Sequence, residues 1–164
     1  MSEVEAQFPS TAHDHASCIA DLLAEAEAIC RERDARLTPK RRAVLTLLLE
    51  DHVPLGAYEI AERVAWGERR PATVAIYRVL GFLEELGLVH RIESLNAFLA
   101  CTRPLARHGA QFLVCTGCRR VAEASDGSTE RAIGRLARQF GFQARNPVIE
   151  IKGLCPQCRE AGHG

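Results

Sequence analysis

Four of the seven cysteines form two pairs with metal-binding spacing, Cys115-x-x-Cys118 and Cys155-x-x-Cys158. Each pair can fold into a tight knuckle that presents two thiolates to one ion, and two knuckles complete the tetrahedral four-cysteine site that Zn²⁺ accepts. The alternatives are a redox CxxC motif or two unrelated pairs of thiols, but two such pairs in one small domain favour zinc. Because four protein ligands leave no position for water, the spacing predicts a structural zinc ion and not a catalytic one.

A second group of possible ligands is dispersed along the chain. It comprises His90, Cys101, His108 and Glu123. If Glu93 pairs with Phe98 across a turn at residues 94–97, His90 lies directly opposite Cys101 in a hairpin. Directly opposed side chains have Cβ atoms about 5 Å apart, a separation that suits two ligands of one ion.

The other two members flank the first cysteine pair. If Cys115 pairs with Cys118 in a second hairpin, His108 and Glu123 lie near its open end. Should the two hairpins meet, the four residues form one tetrahedral site whose imidazole, thiolate and carboxylate groups suit zinc, while the thiolate disfavours manganese. The alternative is an ordinary surface histidine and a buried cysteine that acts as a small apolar residue.

The first half of the chain carries a helical pattern that ends in a hairpin. Helices are predicted at about residues 17–33, 38–50, 57–64 and 72–86, and strands at 88–93 and 98–101. Thr38 is the expected N-cap of the second helix, with Pro39 at its first position. Helices closed by a two-stranded ribbon describe a winged helix-turn-helix, whose fourth helix would enter the major groove of DNA.

The second half has a mixed pattern of strands and one helix. Strands are predicted at residues 111–115, 119–124 and 142–153, and a helix at 129–140. The sequence therefore predicts an α+β protein with two domains: a disordered tail (1–15), a winged-helix DNA-binding domain (16–101), a hinge (102–107), and a small α/β domain with the four-cysteine zinc site (108–164).

Composition and charge narrow the functional class. The chain has 164 residues, of which 47% are hydrophobic and 26% charged, values typical of globular proteins. The net charge is zero, but the first 30 residues carry six acidic side chains and no Lys or Arg, so the remainder has six excess positive charges. Because charge is segregated along the chain in this way, the zero net charge does not exclude a nucleic-acid partner.

Several other classes are disfavoured by motifs that the sequence lacks. We find no apolar run long enough to span a membrane and no basic, apolar leader at the N-terminus, so we expect a cytoplasmic protein without a membrane partner. P-loop, HExxH and nucleophile-elbow motifs are also missing, so we expect neither an enzyme nor a small-molecule substrate other than a metal ion.

Several motifs appear together in an order that resembles one family. They are Leu37-Thr-Pro-Lys-Arg41, Ala57-Tyr-Glu-Ile60, Tyr77-Arg-Val-Leu80, Gly87-Leu-Val-His90 and the two cysteine pairs. Over about residues 18–160 the chain resembles the ferric uptake regulator (Fur) family of bacterial metal-dependent repressors. His90, Cys101, His108, Glu123 and residues 148–155 are most similar to its zinc uptake regulator (Zur) branch.

The resemblance implies a function and assigns roles to residues. It implies a homodimer, held together by residues 108–164, that binds an inverted-repeat operator on double-stranded DNA and represses zinc-uptake genes. It also implies two zinc ions per protomer, one held by the four cysteines and one sensed by His90, Cys101, His108 and Glu123.

The resemblance also suggests how DNA is read. It implies base readout by Arg78 and a backbone or thymine-methyl contact by Tyr58, whereas Tyr77 could contact DNA or pack in the core. The candidates for phosphate contacts are Arg36, Lys40, Arg41, Arg69 and Arg70. The family usually has a Thr-Val-Tyr-Arg run here, but this chain has Thr73-Val-Ala-Ile-Tyr77-Arg78, which leaves the start of the fourth helix open.

Four alternatives remain open on the sequence. The chain could be a repressor of the same family that senses iron, manganese or nickel, although Cys101 disfavours manganese and, more weakly, iron. It could be a peroxide sensor, but only one histidine precedes the first cysteine pair. An enzyme and a protein-binding zinc module without DNA contact are the other two.

Overall fold

The computed structural model describes residues 15–51, 53–67, 69–104, 110–124, 127–145 and 147–162. These residues form two compact units, 15–104 and 110–162. His108, residues 105–107 of the predicted hinge and residues 1–14 of the predicted tail lie outside the described residues, while His15 is already helical. In the described ranges, no helix is both long and apolar enough to cross a membrane.

Four helices open the first unit. They are α1 (His15–Glu32), α2 (Pro39–Glu50), α3 (Ala57–Arg63) and α4 (Thr73–Glu85). Helix α2 begins at Pro39, as predicted, because the fixed φ of proline suits a first helical position and its missing N–H is not needed there. Helix α3 begins after Gly56, whose N–H donates to the Glu59 carboxylate at 2.7 Å.

The core of this unit consists of aliphatic side chains at helical spacing. Leu45 and Leu48 of α2 are buried together with Ile60 of α3 and with Ile76 and Leu80 of α4. Burying one such side chain stabilises the fold by about 1.5–3 kcal/mol. This shared core holds α3 and α4 together as the helix-turn-helix pair.

A two-stranded wing closes the first unit. Strands β1 (Val89–Ile92) and β2 (Ala97–Ala100) pair antiparallel around a 3₁₀ turn at Glu93–Leu95, and Asn96 follows with a left-handed φ of 47°. The predicted register was wrong, because this turn moves the pairing by two residues and places His90 opposite Leu99 instead of Cys101.

The second unit is a small mixed sheet with two helices. Its elements are β3 (Ala110–Cys115), β4 (Val121–Ala124), α5 (Gly127–Gln139), β5 (Val148–Gly153) and α6 (Pro156–Glu160). The strand order is β4-β3-β5, with β3 antiparallel to β4 and parallel to β5. The predicted α+β class is confirmed, although the third strand begins at Val148 and not near residue 142.

The hairpin of β3 and β4 also differs in register from its prediction. The N–H of Cys115 donates to the Arg120 carbonyl at 2.9 Å, and Glu123 pairs with Phe112. Pairing of Cys115 with Cys118 was therefore wrong. The turn is longer than assumed because Arg119 takes a left-handed φ of 62°, which leaves Cys118 inside the turn.

Candidate metal centre and nucleic-acid interface

The four paired cysteines come together in the second unit. Their Sγ atoms all lie within 4.8 Å of one another, and the Sγ atoms of Cys118 and Cys155 are 3.8 Å apart. A tetrahedral zinc ion with Zn–S bonds of about 2.3 Å places its sulfur ligands about 3.8 Å from each other. A disulfide needs about 2.05 Å, so the cysteines are spaced for an ion and not for a covalent bond.

The parallel pairing of β3 and β5 brings the two knuckles to one edge of the sheet. Cys115 ends β3 and lies opposite Gly153, the last residue of β5. Both the N–H and the hydroxyl of Thr116 donate to the Gly153 carbonyl, at 2.8 and 3.1 Å. Cys155 follows Gly153 by two residues and caps helix α6. The second cysteine pair therefore lies directly beside the first, with no long connecting segment between Gly153 and Cys155.

Backbone amides prepare the first thiol to carry negative charge. Burial raises the pKa of Cys115, but hydrogen bonds from the amides of Cys155, Cys118 and Gly117 lower it by more, to about 6. The Cys155 amide approaches the Cys115 Sγ to 3.3 Å. These amides therefore favour the thiolate form of Cys115, which is the form that binds zinc.

The other thiols respond differently to the same environment. Burial raises the pKa of Cys118, while the Arg120 guanidinium, which donates to its Sγ at 3.3 Å, brings the pKa below its usual value. Burial and hydrogen bonding with Cys155 raise the pKa of Cys158 to about 12. Cys158 must therefore release its proton when an ion binds.

Gly117 allows the two knuckles to approach each other. A Cβ atom at this position would lie 3.1 Å from the Sγ and 3.3 Å from the Cβ of Cys158. Any side chain here would push one knuckle away from the other. The sequence reasoning missed the roles of Gly117 and Arg120, although a glycine within Cys-Thr-Gly-Cys was a visible signal.

Two members of the second ligand group lie in the wing. The Cys101 N–H donates to the Leu88 carbonyl at 2.9 Å, so Cys101 continues the ladder in which His90 faces Leu99. In this register His90 and Cys101 are diagonal neighbours on one face of the hairpin, within reach of a common ligand. Cys101 is buried and His90 half-buried.

Of the remaining two members, Glu123 and His108, the structure describes only Glu123. Glu123 is half-buried on β4 of the second unit. His108 lies outside the described residues. The regulatory quartet as a whole therefore stays a prediction.

Helix α4 presents a surface suited to reading DNA. Val74, Tyr77 and Arg78 share its exposed face, three and four residues apart. The Tyr77 ring also makes an edge contact with Phe98 of the wing, with ring centroids 6.3 Å apart, so this residue serves both packing and surface. Tyr58 on α3 is 73% exposed. The sequence reasoning missed Val74, which precedes Tyr77 by one helical turn.

The phosphate candidates differ in how they are held. Arg36, Lys40, Arg69 and Arg70 are exposed. The Arg41 guanidinium lies 3.3 Å from the centroid of the Phe82 ring and donates to the Arg36 carbonyl at 2.7 Å, so it is fixed against the protein.

The chain is similar to one family of known proteins over most of its length. A model of the ferric uptake regulator family matches residues 32–152. The zinc uptake regulation protein of Escherichia coli (strain K12) is 36% identical over 143 residues, which cover 85% of this chain and 82% of that protein.

Solved structures agree with the sequence comparison. A zinc uptake regulator complexed with zinc and DNA matches with a TM-score of 0.83 at 35% identity, covering 89% of this chain and 98% of that one. Holo XcZur matches with a TM-score of 0.76 at 36% identity, covering 87% and 99%. The resemblance inferred from the sequence is confirmed: the chain belongs to the ferric uptake regulator family of metal-responsive, DNA-binding transcription regulators, which are not enzymes.

Proposed function

We propose that this chain is a cytoplasmic zinc-responsive repressor of zinc-uptake genes, which binds an inverted-repeat operator as a zinc-loaded homodimer. The observation that carries the proposal is the likeness, over nearly the whole chain, to a zinc uptake regulator complexed with zinc and DNA. The sulfur spacing of the four-cysteine site supports zinc as the resident ion of the second unit.

A second zinc ion would serve as the signal. We assign His90, Cys101, His108 and Glu123 as its ligands, supported by the common face of His90 and Cys101 and by the preference of zinc for imidazole, thiolate and carboxylate. Only conformations that bring all four ligands together bind this ion, so zinc shifts the population toward them. A coupling of about 1–3 kcal/mol would tighten operator binding about 5- to 150-fold.

Helix α4 would enter the major groove. Arg78 is assigned to base readout because a guanidinium can donate two hydrogen bonds to guanine, and Tyr58, Tyr77 and Val74 offer contacts to the backbone or to thymine methyl groups. The exposed cations would neutralise phosphates; they are Arg36, Lys40, Arg69 and Arg70, with Arg41 fixed nearby.

Exposed apolar side chains on the second unit support the homodimer. Large hydrophobic side chains there are 39–80% exposed: Leu136, Phe140, Phe142, Val148, Ile151 and Leu154. Large apolar side chains exposed in this number on one small unit suggest that some of them are covered by a partner. A dimer would place two α4 helices about 34–36 Å apart, or at a multiple of this distance, to read an inverted repeat.

Another divalent metal at the regulatory site is the second candidate. The buried thiol of Cys101 disfavours manganese and, more weakly, iron in this role, because thiolate is a soft ligand. Operator binding in the presence of each metal separates these possibilities.

A selection experiment tests the proposed function directly. The zinc-loaded protein should recover an inverted repeat from a random duplex library, and chelation should weaken that binding about 5- to 150-fold. Arg78→Ala should lose about 1–3 kcal/mol of specific binding while its zinc content stays unchanged. The proposal would be contradicted if the recovered duplexes shared no inverted repeat, or if DNA affinity were the same with and without zinc.

A further inference from the structure

Three consecutive cations occupy the first turn of α2. Lys40, Arg41 and Arg42 follow Pro39 at a helix N-terminus, and this turn has no acidic residue. The helix dipole disfavours positive charge at this end. A local arrangement that opposes stability suggests a functional requirement for those charges.

The three cations have different partners. Arg42 forms an ion pair with Glu27 of α1, which cancels its charge locally. Arg41 lies over the Phe82 ring. The Lys40 ammonium lies 5.2 Å from the centroid of the Trp66 ring. An aromatic face attracts a cation without neutralising it, so Lys40 is held in place and keeps its charge.

Trp66 is well placed to hold this ammonium group. It lies between α3 and α4, in the loop that also carries Arg69 and Arg70 and leads into α4. Its half-buried ring packs against the core, whereas the Lys40 side chain is exposed. Among the residues that the structure describes, no carboxylate forms an ion pair with Lys40.

We propose that Trp66 is a positioning residue for DNA binding, whose indole ring holds the Lys40 ammonium toward a phosphate of the duplex that α4 reads. The proposal rests on the proposed function as a DNA-binding regulator. An exposed lysine normally loses much rotamer freedom when it binds a phosphate, and holding it beforehand reduces this loss. Trp66 acts through Lys40 and does not itself contact DNA.

The test uses a mixed-sequence duplex of about 30 base pairs, because phosphate contacts do not depend on sequence and no operator is required. Lys40→Met should weaken binding and flatten the slope of log K against log salt by about 0.9 for each protomer bound. Trp66→Leu should weaken binding about two- to fivefold per protomer, whereas Trp66→Phe, which keeps an aromatic face, should stay within about twofold of wild type.

A double-mutant cycle separates positioning from general structure. If Trp66 acts through Lys40, Trp66→Leu should have no further effect once Lys40 is Met. Ring-current shifts of the Lys40 ε-protons by NMR should persist in Trp66→Phe and vanish in Trp66→Leu. Thermal unfolding shows whether each variant is folded.

Several results would overturn the proposal. One is that Trp66→Leu binds the duplex as tightly as wild type. Another is that Trp66→Leu reduces DNA affinity by the same factor whether residue 40 is Lys or Met. If the Leu variant does not fold, an unchanged salt slope in Lys40→Met is sufficient to reject it. A wild-type protein that binds no duplex would instead contradict the proposed function, before any variant is compared.

Discussion

Gly117 illustrates how a residue without a side chain shapes the four-cysteine site. Because Gly117 has no Cβ, there is room for Cys158; a Cβ atom at position 117 would lie 3.1 Å from the Cys158 Sγ. The ligand types and their pairing were predictable from the sequence, because CxxC spacing alone fixes which thiols can share an ion. The Arg120 contact and the distinct pKa values of the thiols were not predictable, since they depend on amide directions set by the turn.

Gly117→Ala should destabilise the zinc-loaded protein. We expect the free energy of unfolding to fall by about 1–3 kcal/mol, because the added methyl group overpacks the contact with Cys158. Gly153→Ala is the matched control: a Cβ there meets nothing within 4 Å, so the change should stay within about 0.5 kcal/mol. Urea denaturation compares the two variants, and equal effects would show that the knuckles do not approach this closely.

The start of helix α4, which the departure from the family pattern left open, has no side-chain cap. Its first residue is Thr73, and Ala72 occupies the N-cap position with φ −66° and ψ 141°. This backbone conformation is the one in which a serine hydroxyl can accept a hydrogen bond from the helix amides. Ala75 and Ile76, where this chain departs from the usual family run, are therefore inside the helix.

Ala72→Ser should stabilise the fold. Capping should raise the free energy of unfolding by about 0.5–2 kcal/mol, as measured by chemical denaturation. The control is Ala132→Ser, at an exposed position inside helix α5 where no free amide is available to cap. This change should lower the free energy of unfolding by about 0.5 kcal/mol. A fall at Ala72 would mean that α4 begins elsewhere.

The elements themselves were more predictable than their pairing. The four helices of the first unit were found from apolar spacing, but both hairpin registers were wrong by two residues. Left-handed residues at Asn96 and Arg119 lengthen the turns; Asn adopts this conformation more readily than most residues, but Arg gives no such signal in the sequence. Because a shift of two preserves the face of each side chain, His90 and Cys101 still share one side of the wing.

At the scale of the molecule, the sequence indicated two units but not the strand order of the second. Strand β5 returns to pair parallel with β3, across a connection that contains β4 and α5. Local patterns cannot reveal such a non-local pairing. It is this pairing, however, that aligns Cys115 with Gly153 and brings the second knuckle to the first.

Ile151→Glu should weaken the proposed homodimer. Ile151, on β5, is one of the exposed apolar side chains of the second unit and is 55% exposed; burying an unpaired carboxylate in an interface is unfavourable. We expect at least about a tenfold rise in the dimer dissociation constant by sedimentation equilibrium, equivalent to about 1.4 kcal/mol. Gln143→Glu introduces the same charge at an exposed polar position and serves as the control. Unchanged association of Ile151→Glu would place the interface elsewhere.

Zinc content per protomer, measured before and after mild chelation in wild type and in Cys101→Ser, tests the central claim most directly. Each protomer is proposed to hold one structural zinc ion, bound by four thiolates, and a second zinc ion that chelation removes. Wild type should then fall from two zinc ions to one, and Cys101→Ser should hold one from the start. One zinc ion that resists chelation in both proteins would contradict the account. His90, Cys101, His108 and Glu123 would then not form a zinc site, and the response to zinc would need another origin.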